Sequence, residues 1–328
     1  MPLFAVASQQ FIGDIAAMLI LCDNPTYAGS YFSGNRLDDA SIDSNLTPLS
    51  QELFGEIKPH GINCLDLAGW KYGFISEQAL RSQYDIVCDL ARQNITIPDG
   101  TFCAAGSGAK FHGQRNRSWL SPPGNIYLTT HFAPHRKIEG FGVAFPILAA
   151  VSVVETIDTI PGLAGRAGIK WVNDIFLEDN KVSGFLACNH NVDSVVSSVT
   201  LGIGLNVQTA PDIEPTPFVP GATCLQKYFR REQAVSPQQV LPVLLKTLWR
   251  NYELILAGHY RQLLNIYRKR SIIIGRDVEV ISDPHDSNTT GDVIASGRIV
   301  RIGDNLELYL ENQTEPIIHG RLILKDKS

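Results

Sequence analysis

The sequence lacks a surplus of basic residues, and this argues against nucleic-acid binding. Its 28 lysines and arginines are outnumbered by 33 aspartates and glutamates, so the formal net charge is −5. Proteins that bind nucleic acid through its phosphates normally present a basic face. Residues 1–55 also show no clear pair of helices, so they do not indicate a helix-turn-helix repressor.

The chain also lacks the spacings of metal ligands and the segments that enter membranes. Its six cysteines are dispersed, with no CxxC pair and no Cys/His cluster of zinc spacing, so we expect buried, reduced thiols. The apolar run at residues 16–22 is far shorter than the roughly 20 residues that span a bilayer, and no basic segment of a signal peptide precedes it. We therefore expect a soluble, cytoplasmic protein without a membrane partner.

The length and composition that are present predict more than one domain. The chain has 328 residues, of which 44% are apolar, so a large core can be buried. We predict an N-terminal extension at 1–55, a larger domain at 56–268 and a small domain at 269–328. Within the extension, a helix over 12–21 and a long loop or linker over 23–50 are the expectations.

The larger domain alternates short strands with helices. Ser82 is suited to cap a helix that runs to residue 91, because its hydroxyl can accept a free backbone N–H. Two further helices are predicted, over 145–157 and from Ser236 onward. The predicted strands are 70–76, 124–132, 168–174, 181–188 and 195–207. The small domain has four β-branched-rich runs separated by turns, which is typical of a small β-barrel.

The most informative motif is Lys170-Trp171-Val172-Asn173-Asp174, with Lys181 seven residues after the aspartate. An amide, a carboxylate and a lysine in this order suit a strand, a turn and a returning strand. Such a hairpin can place a base and a fixed cation around one small pocket. The motif indicates chemistry on a carboxylic acid and a nucleotide, although by itself it also fits a core aromatic next to a common turn.

Two glycine-containing segments are candidate binding elements. Residues 106–119 combine three glycines with Lys110, Arg115 and Arg117, so the backbone can approach an anion closely while cations surround it. Residues 202–206 (Gly-Ile-Gly-Leu-Asn) expose one backbone face of a strand to a neighbour or a ligand. Taken alone, the first also fits a flexible surface loop and the second a packing strand.

Together these motifs resemble the biotin protein ligases. The resemblance rests on Arg-x-Arg-x-Trp-Leu-Ser-Pro-Pro-Gly-Asn-Ile-Tyr-Leu, Lys-Trp-x-Asn-Asp-Ile, Lys-Val-x-Gly and Gly-Ile-Gly-Leu-Asn-Val, which follow one another at the family's spacing over about residues 70–210. It implies an α+β fold, in which a mixed or antiparallel sheet packs against helices as in class II synthetases. It also implies that the C-terminal region is a small SH3-like barrel.

The resemblance implies that the protein activates biotin with ATP and transfers it to a lysine of a biotin carboxyl carrier domain. Lys181 then contacts the biotin carboxyl and the α-phosphate, and Asp174 orients or deprotonates the incoming amine. Asn173 lies near the phosphates and a Mg²⁺ ion that is bound mainly through them, without a dedicated protein metal site. The remaining binding positions implied are Ser82, Gln83, Gly113, Gln114, Arg117, Trp119, Lys170, Trp171, Gly184, Gly202, Gly204 and Asn206.

The chain departs from the family pattern on the glycine-rich segment. The family has an arginine five residues before the tryptophan, where this chain has Gln114, so Arg115 or Lys110 is expected to supply the charge and Arg115 joins the predicted catalytic residues. Tyr84 also differs from the family's asparagine. Two alternatives follow: a lipoate or octanoate ligase, suggested by Gly-Ser-Gly-Ala-Lys-Phe-His-Gly at 106–113, and a binding protein without catalytic activity. The resemblance leaves a homodimer open.

Overall fold

A ten-stranded mixed sheet forms the centre of the fold. The computed structural model describes residues 18–37, 43–65, 67, 69–192, 195–230, 232–282, 291–311 and 313–325. Ten strands follow each other across the sheet in the order β2-β3-β1-β4-β5-β6-β10-β9-β8-β7, and only the β1–β4 and β4–β5 pairs are parallel. Their bounds are β1 Met18–Cys22, β2 Asn35–Leu37, β3 His60–Cys64, β4 Tyr72–Ala79, β5 Thr101–Gly108, β6 Ile126–Phe132, β7 Ala167–Lys170, β8 Asp174–Leu177, β9 Asn180–Val192 and β10 Val195–Leu205.

Helices cover both faces of this sheet. They are α1 Pro25–Gly29, α2 Thr47–Phe54, α3 Gln83–Arg92, α4 Phe141–Asp158, α5 Pro237–Leu256 and α6 Tyr260–Arg270. Side chains alternate across a strand, and this is visible on β4, where Phe74 packs with α2 and α3 while Ile75 belongs to the larger core with α4 and α5. Helix α3 contacts β6 and β10. The cavity described below lies beside α3, over the strands β6, β10, β9 and β8.

Helix α4 is long and apolar enough to cross a membrane by length and composition alone. In this fold it is a core helix, because it contacts α5, α6 and the strands β7 to β10, and twelve of its residues are buried. Its apolar residues therefore pack against the strands β7 to β10 and the helices α5 and α6.

The N-terminal segment belongs to the large sheet from Met18 onward, which corrects three expectations. Residues 18–21 lie in strand β1, between β3 and β4, although a helix was predicted over 12–21; residues 12–17 lie outside the described part of the chain. Residues 23–50, expected to be a loop, contain α1, β2 and the start of α2. The β-sheet joins residues 18–37 to residues 60–64, so the predicted limit at residue 55 does not separate two units there. The local sequence could not show this, because strand pairing is decided by distant segments.

A small antiparallel sheet follows α6. Its strands are β11 Asp277–Ile281, β12 Val293–Ile302, β13 Leu308–Leu310 and β14 Arg321–Leu324, in the order β13-β12-β11-β14. Its apolar residues are continuous with the main core, and the Trp171 indole N–H donates to the carbonyl of Leu306 at 2.7 Å. The small sheet is therefore docked directly against the end of the large sheet.

The strands and helices predicted for residues 70–207 and 236–256 are confirmed with shifted ends. Ser82 caps α3, since its hydroxyl accepts the backbone N–H of Asp85. One predicted strand, 168–174, is divided: β7 ends at Lys170 and β8 begins at Asp174. The mixed α+β architecture expected from the sequence is thus present.

Candidate active site

A cavity of about 300 Å³ opens on the exposed end of the sheet. Its floor is formed by β6, β8, β9 and β10, and one side is the N-terminal turn of α3, with Ser82, Gln83 and Tyr84. The glycine-rich loop, residues 109–121, covers a second side. Residues 211–222, which follow β10, and Arg321 at the start of β14 close the third. Four distant parts of the chain therefore meet around one space.

The hairpin of β7 and β8 and the return strand β9 place the predicted catalytic pair on the floor. Lys170 pairs with Asp174 across the β7–β8 hairpin, and Asp174 pairs with Gly184 across β8–β9. A register shift between β8 and β9 brings Lys181 opposite Phe176. The Asn173 side-chain amide donates to the Phe185 carbonyl at 2.8 Å and so fixes the turn to β9.

Lys181 and Asp174 form an ion pair inside the cavity. Lys181 Nζ lies 2.6 Å from Asp174 Oδ1, and both side chains are 19% exposed. The ammonium also lies 5.3 Å from the centre of the Trp119 ring, a favourable cation–π distance. The lysine is held by two neighbours while its third side remains open to the cavity, which is the arrangement needed to meet an anionic ligand.

The strand glycines make room for aromatic rings. A Cβ at residue 204 would lie 2.6 Å from the Trp119 ring, and a Cβ at residue 184 would lie 3.1 Å from the Lys181 ammonium. A Cβ at residue 202 would lie 3.0 Å from the Tyr84 ring. These glycines were predicted to face a ligand; they line the cavity, and the rings of Trp119 and Tyr84 lie over them.

The glycine-rich loop closes on itself as a narrow turn. The backbone N–H of Trp119 donates to the Phe111 carbonyl at 2.9 Å, and the backbone N–H of Gly113 donates to the Arg117 carbonyl at 2.7 Å. Its tip is a short 3-10 turn over Gln114–Asn116, where Arg115 and Asn116 have left-handed φ angles of 58° and 56°. Such conformations cost non-glycine residues roughly 1–3 kcal/mol each and concentrate at ligand-binding sites.

His112 fastens this loop to α3. Its Nε2 lies 2.8 Å from Asp85 Oδ1, and its Nδ1 lies 3.0 Å from the Gly113 carbonyl. Burial opposes protonation, but the hydrogen bonds to Gly113 and Asp85 outweigh it and raise the pKa of His112. A charged His112 therefore strengthens the contact between the loop and the helix.

The third side of the cavity was not predicted from the sequence. Residues 211–222 contain Ile213, Glu214 and Val219 in the lining, and Ala222 pairs with Lys181 at the start of β9. The proline spacing of this segment indicates a stiff loop without marking it as part of a site. Arg321 has no local motif at all, since only the docking of the small sheet brings it to the cavity.

Two cations near the cavity are partly desolvated. Burial, with the nearby charges of Lys181 and Arg321, lowers the pKa of Lys170 to about 8 against the opposing effect of Asp174. Burial and the like charges of Arg117 and Arg115 lower the pKa of Arg321 to about 10. The cavity thus concentrates positive charge that an anion would stabilise.

Most of the predicted residues line the cavity, and three do not. Arg115 is exposed at the loop tip outside the lining, but its charge acts on Arg321. Lys170 is buried behind the lining and donates to the Phe218 carbonyl. Trp171 packs between the large and small sheets, which corrects its predicted place around the ligands. The lining residues that the sequence did predict are Ser82, Gln83, Gly113, Gln114, Arg117, Trp119, Asn173, Asp174, Lys181, Gly184, Gly202, Gly204 and Asn206.

Two buried polar atoms of the lining residues have no hydrogen-bond partner in the described part of the chain. They are the indole N–H of Trp119 and the side-chain oxygen of Asn206, whose amide nitrogen donates to the Thr223 carbonyl at 3.0 Å. Gln83 donates weakly to the Ala104 carbonyl at 3.5 Å. Buried polar groups normally find partners, so a polar ligand in this cavity can satisfy them.

Comparison with known proteins identifies relatives of the central region. The model of the biotin/lipoate A/B protein ligase family matches residues 103–206. The biotin–[acetyl-CoA-carboxylase] ligase of Paracoccus denitrificans is 28% identical over 170 residues, which are 51% of this chain and 68% of that protein. The bifunctional ligase/repressor BirA of Bacillus subtilis is 30% identical over 154 residues, so the match covers 47% of this chain and less than half, 46%, of BirA.

Solved structures show the same fold over a longer stretch. The biotin protein ligase of Aquifex aeolicus, in complex with biotin and ATP, superposes with a TM-score of 0.57 over 79% of this chain and 100% of that one, at 20% identity. The family match spans β5 to β10 and includes Lys181, Asp174 and Trp119. Motif and relatives agree that the chain is similar to the biotin protein ligases, and it shares their fold.

Proposed function

We propose that this protein joins biotin to AMP at the expense of ATP and transfers the biotinyl group to a lysine of an acceptor protein. The observation that carries the proposal is the Lys181–Asp174 pair beside Trp119 in a cavity lined with cations. The family model matches the segment in which the pair lies, and relatives of this chain have names that state this activity. A carboxylate and a nucleotide are both anions, so a site that brings them together needs fixed positive charge.

In the first step, a biotin carboxylate oxygen attacks the α-phosphorus of ATP, and the bond to the β-phosphate oxygen breaks to release pyrophosphate. Lys181 is suited to hold both reacting anions, because its ammonium is fixed by Asp174 on one side and Trp119 on another. Its charge offsets their repulsion and stabilises the charge that develops in the transition state.

In the second step, the acceptor lysine amine attacks the biotinyl carbonyl, an amide forms and AMP leaves. The amine must lose a proton, and Asp174 is the carboxylate on the cavity floor that can accept it or orient the amine. Because Asp174 is 2.6 Å from Lys181, it also keeps the lysine in place through both steps.

A magnesium ion is implied by nucleotide chemistry. The described residues offer no cluster of three or more carboxylate, histidine or cysteine side chains that could hold one. We propose that phosphate oxygens and water supply most of its ligands, which suits Mg²⁺, with Asn173 as the nearby amide. The ion would neutralise the phosphates, while Lys181 meets the carboxylate and Asp174 meets the acceptor amine.

We further propose a biotin carboxyl carrier domain as the acceptor, in a reducing, cytoplasmic setting. The acceptor proposal rests on the name of the Paracoccus denitrificans relative, a biotin–[acetyl-CoA-carboxylase] ligase, and the setting on six cysteines that form no disulfide. The small C-terminal sheet is proposed to be the SH3-like domain that the resemblance implies. A homodimer stays a proposal to be measured by light scattering.

The test is incubation of the purified chain with ATP, Mg²⁺ and either biotin or lipoate, with and without carrier domains. Mass spectrometry then measures the acyl-adenylate and the mass added to the carrier. We expect biotinyl-AMP and a biotinylated carrier. Lipoyl transfer without biotinyl transfer would establish the alternative ligase, and binding of biotin without any adenylate would establish a non-catalytic protein.

A further inference from the structure

Arg321 reaches the cavity from a different sheet than the predicted catalytic residues. It is the first residue of β14 and follows Gly320, whose φ of 119° favours glycine. A Cβ at residue 320 would also lie 2.9 Å from the Ile281 carbonyl. Gly320 thus lets the chain enter β14 against β11 with the Arg321 side chain directed to the cavity.

The Arg321 guanidinium is held by stacking on an aromatic ring. Its central carbon lies 3.4 Å from the centre of the Phe218 ring. The Phe218 carbonyl in turn accepts a hydrogen bond from the buried Lys170 ammonium, so the ring is anchored to the large sheet. Stacking engages the flat face of a guanidinium and leaves its N–H donors at the edge for a planar or tetrahedral anion.

The charges around Arg321 favour an anion in the cavity. Arg117 and Arg115 repel it, and Asp174 attracts it. Among the described residues, no carboxylate lies within ion-pair distance of Arg321. A group of cations this close is stable when a multiply charged anion is shared between them.

The glycine-rich loop shows why this cation is needed. The residue five positions before Trp119 is Gln114, which lines the cavity with a neutral amide. Arg115 points from the loop tip and is outside the lining. The loop thus offers one lining arginine, Arg117, on the side of the cavity that faces Arg321.

We propose that Arg321 is a nucleotide-binding residue, and that it supplies from the small C-terminal sheet the phosphate-binding arginine that Gln114 does not provide on the loop. This proposal rests on the proposed adenylation activity, because the phosphates are those of ATP and of the acyl-adenylate. The small sheet then contributes directly to the site, and the Phe218 segment is held between it and Lys170.

The test compares Arg321→Gln with Arg301→Gln. Arg301 is a matched control, since it lies in β12 of the same small sheet and stacks on Tyr309 at 3.2 Å but is not in the cavity lining. We expect Arg321→Gln to raise the KM for ATP about 10- to 100-fold, the range of one lost charge-assisted hydrogen bond. The Kd of biotin without nucleotide and the melting temperature should stay unchanged, and Arg301→Gln should leave the KM for ATP unchanged.

Two further variants separate a charge role from a structural one. Arg321→Lys should recover part of the ATP affinity. Adding Gln114→Arg to Arg321→Gln should reverse more than half of the change in the logarithm of the KM for ATP. An unchanged KM for ATP in Arg321→Gln overturns the proposal, as does an equal loss of ATP and biotin affinity with a lowered melting temperature. Calorimetric titration of ATP into the same variants tests Arg321 even if no adenylate forms, so the two proposals fail separately.

Discussion

The floor of the cavity consists of paired strands, and we call it the strand wall. The glycine-rich loop, residues 109–121, closes on itself, and we call it the loop wall. Asp174, Lys181 and the glycines of β9 and β10 are fixed by ladder hydrogen bonds to neighbours on both sides. Residues 109–121 are held by a few internal hydrogen bonds, by Phe111 on Tyr127 and by the His112–Asp85 contact. The strand wall keeps Asn173, Asp174 and Lys181 as the resemblance implies, whereas the loop wall has Gln114 in place of the expected arginine. A ladder of hydrogen bonds fixes the position of the side chains on its strands. A loop tolerates the absence of a charged residue when another segment supplies the charge.

The largest effect is expected on the strand wall, for Lys181→Met. Removing the ammonium leaves Asp174 unpaired and removes the charge that meets the carboxylate and the phosphate, so adenylation should fall by at least about 100-fold. Single-turnover release of pyrophosphate measures it. Lys137→Met, an exposed lysine outside the cavity, is the control and should retain full activity. Turnover close to that of the unmodified protein in Lys181→Met would refute its catalytic assignment.

Gly204→Ala should show how tightly the strand wall is packed. Its Cβ would meet the Trp119 ring at 2.6 Å, so the ring must shift, at a cost of about 1–3 kcal/mol. The expected result is a Kd for biotin weakened about tenfold or more, measured by calorimetry. Gly142→Ala, in the first turn of α4 where a Cβ meets nothing within 4 Å, should leave the Kd unchanged. Equal affinities for the two variants would mean that Trp119 does not need its present position.

Lys170, behind the strand wall, should take up a proton when nucleotide binds. Its pKa is lowered to about 8, and a bound phosphate would stabilise the charged form and raise the pKa. Calorimetry at pH 8.5 in buffers of different ionisation enthalpy should show uptake of part of a proton. At pH 6.5 the effect should vanish, because Lys170 is already charged. If Lys170→Met shows the same uptake, the proton goes to another group.

The smallest effect is expected on the loop wall, through His112. Its folded pKa lies above the ordinary value of about 6.5, so the stabilisation of the loop is complete below that pH and is lost as the pH rises through the folded pKa. Biotin should therefore bind more weakly at alkaline pH, and Asp85→Asn should flatten this dependence. Asp89→Asn is the control, because Asp89 lies on the same helix as Asp85 but forms its ion pairs with Arg81 and Arg92. An identical pH profile in both variants would exclude the contact as the cause.

The sequence by itself determined the strand wall, because its signals are local. The order of Asn173, Asp174 and Lys181 predicts a strand, a turn and a returning strand with Lys181, but not the division of the first strand into β7 and β8. The glycines at 202 and 204 predict a strand face without side chains. Ser82 as the cap of α3 follows from the same kind of local reasoning. Such features depend on residues a few positions apart, so a short stretch of sequence contains all the physical information they need.

Tertiary structure alone decided the remaining parts of the site and fold. Residues 18–22 form a strand because β3 and β4 offer edges on both sides, which outweighs a helical reading of the segment. Trp171 faces the small C-terminal region instead of the cavity because the Leu306 carbonyl, between β12 and β13, accepts its indole N–H. Arg321 enters the cavity because the docking of the small sheet brings β14 there. These outcomes depend on contacts between residues that are 38 or more positions apart, and no local pattern in the sequence encodes such contacts.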